Sequence, residues 1–417
     1  MIRRPPRSTP KPSSAASDVY KRQHMYLTKE EEKILDGEYG EIKEKMFRIL
    51  VVIGDIYGAD RMIPVSSCQI SGVSYKSIGE YGLEFLESIS KGGARAVVPS
   101  YLNPAGVDLK LWKQLGYPEN FARKQMRIVK AFRKMGIYPT LTCTPYLIGN
   151  IPRFGEHLAW AESSAVSFAN SVMGARTNRE GAISALASSI CGVTPNYGLH
   201  LQENRKPDAI VNINTQLNEI SDFGLLGYYL GRILKNRIPY LRGIKFATTD
   251  HLKALGAAMA ATGSIALYHV EDLTPEARNF DLDNLEKFSV GEEELKEERE
   301  RFSGEHPDAV MIGCPHASLN EIKEISALVK GKKLKKPLWI FTSRFVKKLS
   351  VDTGLSRIIE KAGGKIISDT CMVVSPIEEM GFKVVGVNSG KAANYLPNLC
   401  GCRVVFGSLK ELIGMII

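Results

Sequence analysis

Hydrophobic patterning is clearest in the final part of the chain, where apolar runs alternate with amphipathic stretches. The apolar runs are DAVMIGC, PLWIFTS, KIISDTC, KVVGVNS and RVVFGS, and the stretch from Ser318 to about Val329 has helical spacing. Apolar runs separated by helices are typical of parallel strands joined by crossover connections. We therefore predict a C-terminal, doubly wound α/β domain over residues 305–417.

The N-terminal part of the chain has the same α/β character. Thr28 and Glu31 form a capping box that predicts an opening helix, and MFRILVVIGDIYGA is compatible with either a helix or a strand. The runs GARAVVPSY and IYPTLTC predict strands on either side of an amphipathic helix that ends at Gly136. This order predicts a parallel βαβ unit in an N-terminal α/β domain over residues 25–205.

A second α/β domain is predicted over residues 206–304. DAIVNIN and ALYHV have the composition of buried strands, and FGLLGYYLGRILKN has helical spacing. The stretch GEEELKEERERFSGEHPD carries acids and bases at helical spacing. It predicts a solvated helix at the boundary with the C-terminal domain.

Residues 1–24 differ from the rest of the chain. They are rich in Pro, Ser and Arg, have no helical or strand period, and lack the apolar core of a signal peptide. We interpret them as a disordered or artefactual tail before Met25. The tail holds six basic residues and one acid, so half of the formal net charge of +10 comes from it. The charge that remains does not predict a nucleic-acid partner.

Three of the seven cysteines follow predicted strands: Cys143 ends IYPTLTC, Cys314 ends DAVMIGC and Cys371 ends KIISDTC. Ligands of open α/β sheets collect beyond the carboxyl ends of parallel strands, so these cysteines can converge. Three thiolates can hold an iron–sulfur cluster and leave one iron open to a substrate oxygen. The alternative is that each cysteine packs as a small buried hydrophobe. The residues alone leave both interpretations open.

The cellular setting follows from the same cysteines. Their odd number, in a chain without an apolar signal segment, indicates reduced thiols and a cytoplasmic protein. No apolar run approaches the roughly 20 residues that span a bilayer, so no membrane partner is predicted.

Two polar loops are candidates for substrate binding. In GARTNREG, two arginine forks and the neutral donors between them suit a carboxylate or a phosphate, although an exposed surface role is the alternative. In SSCQISGVSY, hydroxyl groups accompany a glycine that permits close backbone approach. The candidate substrate-binding residues of these loops are Ser66, Ser71, Gly72, Val73, Ser74, Arg176, Thr177, Asn178 and Arg179.

Several segments resemble the large, catalytic subunit of the aconitase X family. They are TCTPY around Cys143, GCPHAS around Cys314, SDTCMVV around Cys371, VNSGKAANY around Lys391, ISGVSYKSIGEYG and AWAESSAVSFANSVMGARTNREG. The resemblance runs from about Met25 to the C-terminus. It implies an aconitase-like multidomain fold with an iron–sulfur site at strand ends. It also implies that Cys143, Cys314 and Cys371 hold a cluster of the 4Fe-4S type.

The resemblance further implies a hydro-lyase. Its substrate would be a small phosphorylated hydroxy acid, (R)-5-phosphomevalonate, dehydrated to trans-anhydromevalonate 5-phosphate in an archaeal-type mevalonate pathway of isoprenoid biosynthesis. Arg176 and Arg179 would orient one anionic end of this substrate, and Lys391 the other. The base would be a serine on a small swivelling-domain subunit, which implies a heterodimer. Glu162 and Ser163 are the candidate catalytic residues on this chain itself.

Two alternatives remain. A cis-3-hydroxy-L-proline dehydratase of the same family would act on a small zwitterion, which needs fewer cationic contacts than a phosphorylated substrate. A non-catalytic iron–sulfur sensor that binds RNA would need a basic groove with interleaved aromatic residues. No such segment occurs outside the tail.

Overall fold

The computed structural model describes residues 25–302 and 304–417. The tail predicted over residues 1–24 lies outside the described residues. We call residues 25–205, 206–302 and 305–417 the first, second and third regions. Within the described residues, no helix is both long and apolar enough to cross a membrane.

The first region combines short strands with longer helices. In chain order its elements are α1 (Lys29–Leu35), α2 (Glu41–Tyr57), β1 (Met62–Pro64), β2 (Cys68–Ile70), α3 (Tyr75–Lys91), β3 (Ser100–Leu102), α4 (Trp112–Leu115), α5 (Glu119–Lys134), β4 (Ala159–Trp160), α6 (Ser163–Ser171), α7 (Ala182–Cys191) and β5 (Val193–Pro195). Strands β2, β3 and β4 form a parallel sheet in the order β3–β2–β4, and β1 pairs with β5 in antiparallel fashion. Because each strand has only two or three residues, the helices supply most of the buried apolar side chains.

The predictions for the first region have mixed outcomes. The capping box of α1 is confirmed, because the Thr28 hydroxyl accepts the N–H of Glu31 and the Glu31 carboxylate accepts the N–H of Thr28. MFRILVVIGDIYGA is helical and belongs to α2. The strand predicted at IYPTLTC is wrong, since this segment makes only one isolated bridge, at Tyr138. Pro139 has no N–H to donate and Leu141 has a left-handed φ of 49°, so the backbone cannot continue a ladder.

The second region contains a parallel sheet with the strand order β8–β7–β6–β9. Its elements are β6 (Ala209–Ile213), α8 (Ile220–Leu234), β7 (Pro239–Arg242), α9 (Thr249–Gly263), β8 (His269–Val270), β9 (Glu286–Val290) and α10 (Glu292–Glu300). The predicted strand at DAIVNIN and the helix after it are confirmed as β6 and α8. The predicted charged helix is α10, whose first turn carries acids that favour a helix N-terminus.

The third region is a parallel sheet of five strands in the order β12–β11–β10–β13–β14. Its elements are β10 (Ala309–Ile312), α11 (Leu319–Val329), β11 (Leu338–Thr342), α12 (Arg344–Asp352), α13 (Leu355–Ala362), β12 (Lys365–Ser368), β13 (Val384–Val387), α14 (Gly390–Cys400), β14 (Arg403–Phe406) and α15 (Leu409–Gly414). The central strands are buried along their whole length, as expected for a sheet covered on both faces. The predicted doubly wound sheet is confirmed.

The chain order of this sheet reverses between β10 and β13, and a crevice is expected beyond the carboxyl ends of strands at such a switch point. Gly313 directly follows β10 with a left-handed φ of 104°. A side chain at this position would collide with the carbonyl group of Phe341 in β11. Glycine is therefore required where the chain leaves the sheet and enters the loop that carries Cys314.

Candidate active site

A cavity of about 260 Å³ lies between the first and third regions. Its lining from the first region is Gly72, Val73, Ser74, Ser77, Asn103, Pro104, Cys143, Ala161, Glu162, Ser163 and Arg179. Its lining from the third region is Cys314, Cys371, Val373, Val374, Lys391, Tyr395 and Leu399. Among the described residues, the second region adds none to this lining. The cavity thus depends on how the first and third regions meet.

Three cysteines that are far apart in the chain meet in this cavity, and we call Cys143, Cys314 and Cys371 the cavity cysteines. Cys314 lies just beyond β10, and Cys371 lies beyond β12 after a short turn. Cys143 belongs to the irregular segment of the first region that follows α5. All three are buried, with 4%, 5% and 7% of their surface exposed. The structure therefore brings the three predicted metal ligands together.

The chemistry of the cavity cysteines fits an iron–sulfur cluster. Burial raises the pKa of each thiol, so a bound cofactor is needed to hold them as thiolates. The backbone N–H of His316 donates to Cys143 Sγ at 3.2 Å, and hydrogen bonds to sulfur are a feature of iron–sulfur sites. Within the described part of the chain, no three Cys, His, Asp or Glu side chains are arranged to hold a single metal ion. A cluster, in which each thiolate binds a different iron, does not require that arrangement.

An ion pair between Glu162 and Lys391 joins the first region to the third. Glu162 caps the N-terminus of α6, and Lys391 lies in the first turn of α14. The second oxygen of Glu162 accepts a hydrogen bond of 2.6 Å from the Asn103 side chain, and its first oxygen also accepts one of 3.2 Å from the Ser164 hydroxyl. Both oxygens of this carboxylate are therefore occupied.

Both members of this pair remain charged. Burial alone would raise the pKa of Glu162, but the ammonium group of Lys391, together with the hydrogen bonds from Asn103 and Ser164, lowers that pKa overall. Burial likewise opposes the charge of Lys391, but Glu162 and the facing thiols raise its pKa overall. The result is a buried cation that faces the cavity cysteines. An ionised carboxylate so engaged is poorly placed to accept a proton from a substrate.

The structure divides the sequence-predicted site residues into two groups. Those that line the cavity are Gly72, Val73, Ser74, Cys143, Glu162, Ser163, Arg179, Cys314, Cys371 and Lys391. Those outside its lining are Ser66, Ser71, Arg176, Thr177 and Asn178. The Ser74 hydroxyl donates to the carbonyl of Val374 at 2.8 Å, which ties the loop before α3 to the chain after Cys371.

The two predicted arginines have different surroundings. Arg179 is exposed at the cavity and forms no ion pair with a described acidic residue. Arg176 donates to the carbonyl oxygen of His200 at 2.8 Å and to the side chain of Gln202, so its fork is already engaged. Asn178 is similarly engaged, because its side chain accepts the N–H of Leu199 at 2.8 Å. Arg179 is thus available to a ligand, whereas its neighbours build the loop.

Sequence reasoning missed several lining residues, and two of them had a usable signal. Asn103 follows β3 directly, so it reaches the cavity from the carboxyl end of a strand, as Cys314 does. Tyr395 lies four residues after Lys391, which places both on one face of α14. The Lys391 ammonium lies 6.0 Å from the centre of the Tyr395 ring. Ser77 had no such signal, because it lies one turn inside a helix.

Comparison with known families matches nearly the whole described chain. Residues 24–203 match the aconitase X first domain, residues 207–300 the second domain and residues 307–417 the third domain. The crystal structure of Thermococcus kodakaraensis aconitase X in its holo-form is similar, with a TM-score of 0.89 and 51% sequence identity. That match covers 94% of this chain and 100% of the other. The chain belongs to the aconitase X family.

Within the family, the similar curated proteins fall into two groups. The phosphomevalonate dehydratase large subunit of Methanocaldococcus jannaschii is 56% identical over 93% of this chain and 99% of its own length. The cis-3-hydroxy-L-proline dehydratase of Pseudomonas aeruginosa is 32% identical, over 92% of this chain and 68% of its own length. The chain is therefore closer to the first group than to the second.

Proposed function

We propose that this chain is the large, catalytic subunit of a phosphomevalonate dehydratase. The reaction removes a proton and a hydroxide ion from adjacent carbons of (R)-5-phosphomevalonate and gives trans-anhydromevalonate 5-phosphate and water. One observation carries the proposal. Three buried thiols and a buried ammonium group line one cavity, on a chain 56% identical to a phosphomevalonate dehydratase large subunit.

The cavity cysteines would hold an iron–sulfur cluster, of the 4Fe-4S type by the family resemblance. When bound, a cluster with one iron free of protein thiolate supplies a Lewis acid for the departing hydroxyl group. The ammonium group of Lys391 stays charged beside the cavity cysteines, because it pairs with Glu162 in the buried wall of the cavity. A fixed cation in a buried site stabilises negative charge more than an exposed one does.

Arg179 and the hydroxyl group of Ser77 would bind the phosphate end of the substrate, whereas the Ser74 hydroxyl already donates to Val374. Both Arg179 and Ser77 line the cavity, and Arg179 has a free guanidinium fork. A guanidinium group can bind two phosphate oxygens at once, which fixes orientation as well as charge. Asn103 positions Glu162, and through it Lys391, in the wall of the same cavity.

The proton-abstracting base is expected on a second, small subunit, so the active form would be a heterodimer. Glu162 is the only carboxylate among the described residues that line the cavity, and its oxygens are engaged by Lys391 and Asn103. Two similar relatives are named as large subunits, which supports a partner chain. Glu162 and Ser163 then serve to bind and orient rather than to remove the proton.

The test is to combine the anaerobically reconstituted chain with the small subunit from the same organism and to supply (R)-5-phosphomevalonate. We expect the dehydrated product, detected by mass spectrometry, only when both chains are present. The chain alone should bind the substrate without turnover. Dehydration of cis-3-hydroxy-L-proline in place of phosphomevalonate would overturn the proposed substrate. Full activity of the isolated chain would show that the proton-abstracting base belongs to this chain. Glu162 would then be the first residue to test by substitution.

A further inference from the structure

One histidine contacts the chain segments of all three cavity cysteines. The side chain of His316 is fully buried and follows Cys314 by two residues. Its Nδ1 lies 2.9 Å from the hydroxyl oxygen of Thr142, which directly precedes another cavity cysteine. Its Nε2 lies 2.8 Å from the carbonyl oxygen of Thr370, which directly precedes the third. The ring therefore bridges the first region and the turn beyond β12.

The bonding partners define where the ring carries its proton. A carbonyl oxygen can only accept, so Nε2 holds the proton and donates it to Thr370. Nδ1 then accepts from the hydroxyl of Thr142, whose oxygen in turn accepts the N–H of Thr144 at 3.2 Å. One donated and one accepted hydrogen bond thus fix the ring.

The backbone of His316 is held as firmly as its ring. Its N–H donates to Cys143 Sγ at 3.2 Å, and its carbonyl accepts from Lys253 Nζ at 3.2 Å. Lys253 belongs to α9 of the second region and forms buried ion pairs with Asp250 and Glu321. Burial lowers the pKa of Lys253, but the two carboxylates raise it overall, so it remains a cation. All three regions therefore meet at this histidine.

We propose that His316 is the positioning residue of the iron–sulfur site and sets the spacing of the cavity cysteines before a cluster binds. The inference rests on the proposed function only in so far as the cysteines hold a cluster. A histidine that merely fills a core would satisfy its nitrogens locally, whereas both ring bonds of His316 reach segments that carry cysteines. Preorganised ligands lose less freedom when the cofactor binds, which raises affinity.

His269 provides a matched control. It is also fully buried, its Nε2 lies 2.9 Å from the carbonyl oxygen of Arg205, and burial lowers its pKa. It lies on β8, away from the cavity. Changing either histidine to Phe removes a bond to a backbone carbonyl and keeps a ring of similar size. Only His316→Phe separates the segments that carry the cavity cysteines.

The first measurement uses the full chain with its iron bound and an iron(II) chelator in excess. We expect iron release from His316→Phe to be about 10–100-fold faster than from the unchanged chain, as for other outer-shell changes. His269→Phe should release iron at the unchanged rate. His316→Gln should recover part of the loss, because its amide N–H can donate to Thr370 from near the Nε2 position.

The second measurement needs no cluster. In the iron-free full chain, iodoacetamide should alkylate the cavity cysteines at least about tenfold faster in His316→Phe than in His269→Phe, because released segments open more often. Cys191, read by the same peptide mass spectrometry, should be unaffected. If His316→Phe fails to fold, Thr142→Val takes its place in both measurements. This variant removes the hydrogen bond to Nδ1 of His316 and keeps nearly the same side-chain shape.

The outcomes separate this inference from the proposed function. If the unchanged chain binds no iron, the proposed function fails, and the alkylation rates alone decide the inference. Equal alkylation in the two phenylalanine variants, or equal iron release, would overturn the role of His316. Faster iron release without partial recovery in His316→Gln would also count against it, because a specific donor would then not matter.

Discussion

The first and third regions both line the cavity, but they hold their side chains in different ways. In the third region, Cys314 and Lys391 follow the central strands β10 and β13, so a ladder of parallel strands fixes both. In the first region, Cys143 follows no strand, and Glu162 follows a strand of two residues. Isolated backbone hydrogen bonds, such as that from the Thr142 N–H to the carbonyl oxygen of Leu102 at 3.0 Å, and side-chain contacts across the boundary hold these residues instead. The sheet therefore positions the site residues of the third region, whereas contacts outside regular strands position those of the first region.

Cysteine replacement tests the comparison with the largest expected effect. Changing any cavity cysteine to Ser should remove most of the iron, because a neutral hydroxyl does not replace a thiolate ligand. Activity should fall by more than the about 10–100-fold that is typical of outer-shell changes. Iron content per chain after anaerobic purification measures the result. Cys191→Ser is the control and should keep its iron. Normal iron content in Cys143→Ser would show that the first region supplies no ligand to the metal site.

The ion pair across the boundary gives the next largest effect. Lys391→Met leaves the Glu162 carboxylate buried without its cation, which should lower the free energy of unfolding by about 3–5 kcal/mol. Denaturant titration measures this change. The double variant Lys391→Met/Glu162→Gln should recover much of the loss, because no charge remains buried. Equal loss in the single and double variants would show that the pair does not hold the regions together.

The two regions were also unequally predictable from the sequence. Continuous apolar runs and helical spacing predict the strands and helices of the third region, and the switch point then places Cys314. The segment before Cys143 has an equally apolar composition, yet Pro139 and the left-handed Leu141 prevent a strand there. The side chain of His316, 174 residues away in the chain, contacts this segment at Thr142 and also reaches Thr370, 54 residues further on. Contacts of this kind leave no local pattern in a sequence.

The same limit applies to the arginine loop. The sequence shows that Arg176 and Arg179 are three residues apart, but not that one of them is already engaged by a backbone carbonyl. Asn103 was missed although it follows β3, because the strand predicted at GARAVVPSY overlaps β3 only at Ser100 and Tyr101. Strands of two or three residues have too few alternating positions for their ends to be placed from the sequence. Placement after predicted strands indicated all three cavity cysteines, and side-chain chemistry indicated the arginine loop, whereas Lys391 came only from the family resemblance.

A glycine replacement tests whether the sheet fixes Cys314. Gly313→Ala places a methyl group against the carbonyl of Phe341 at a left-handed φ of 104°. We expect a loss of unfolding free energy beyond the about 1–2 kcal/mol that left-handed backbone alone costs. Gly381→Ala is the control, since its φ of 90° is also left-handed but its side chain would meet nothing within 4 Å. Thermal unfolding with and without iron should show a larger drop in melting temperature for Gly313→Ala than for Gly381→Ala. Equal drops would mean that the loop, not the sheet, sets the position of Cys314.

The smallest expected effect separates the two arginines of the first region. Arg179→Lys keeps the charge but loses the guanidinium fork, so KM for 5-phosphomevalonate should rise up to about tenfold, equivalent to about 1.4 kcal/mol, with little change in the melting temperature. Arg176→Lys should instead leave KM unchanged and lower the unfolding free energy by about 1 kcal/mol, because it loses the hydrogen bond to His200. Steady-state kinetics of the two-chain enzyme and thermal unfolding of each variant measure both effects. The opposite pattern, in which Arg176→Lys raises KM and Arg179→Lys does not, would show that the loop rearranges when substrate binds. The contact between the first and third regions would then be complete only with the ligand present.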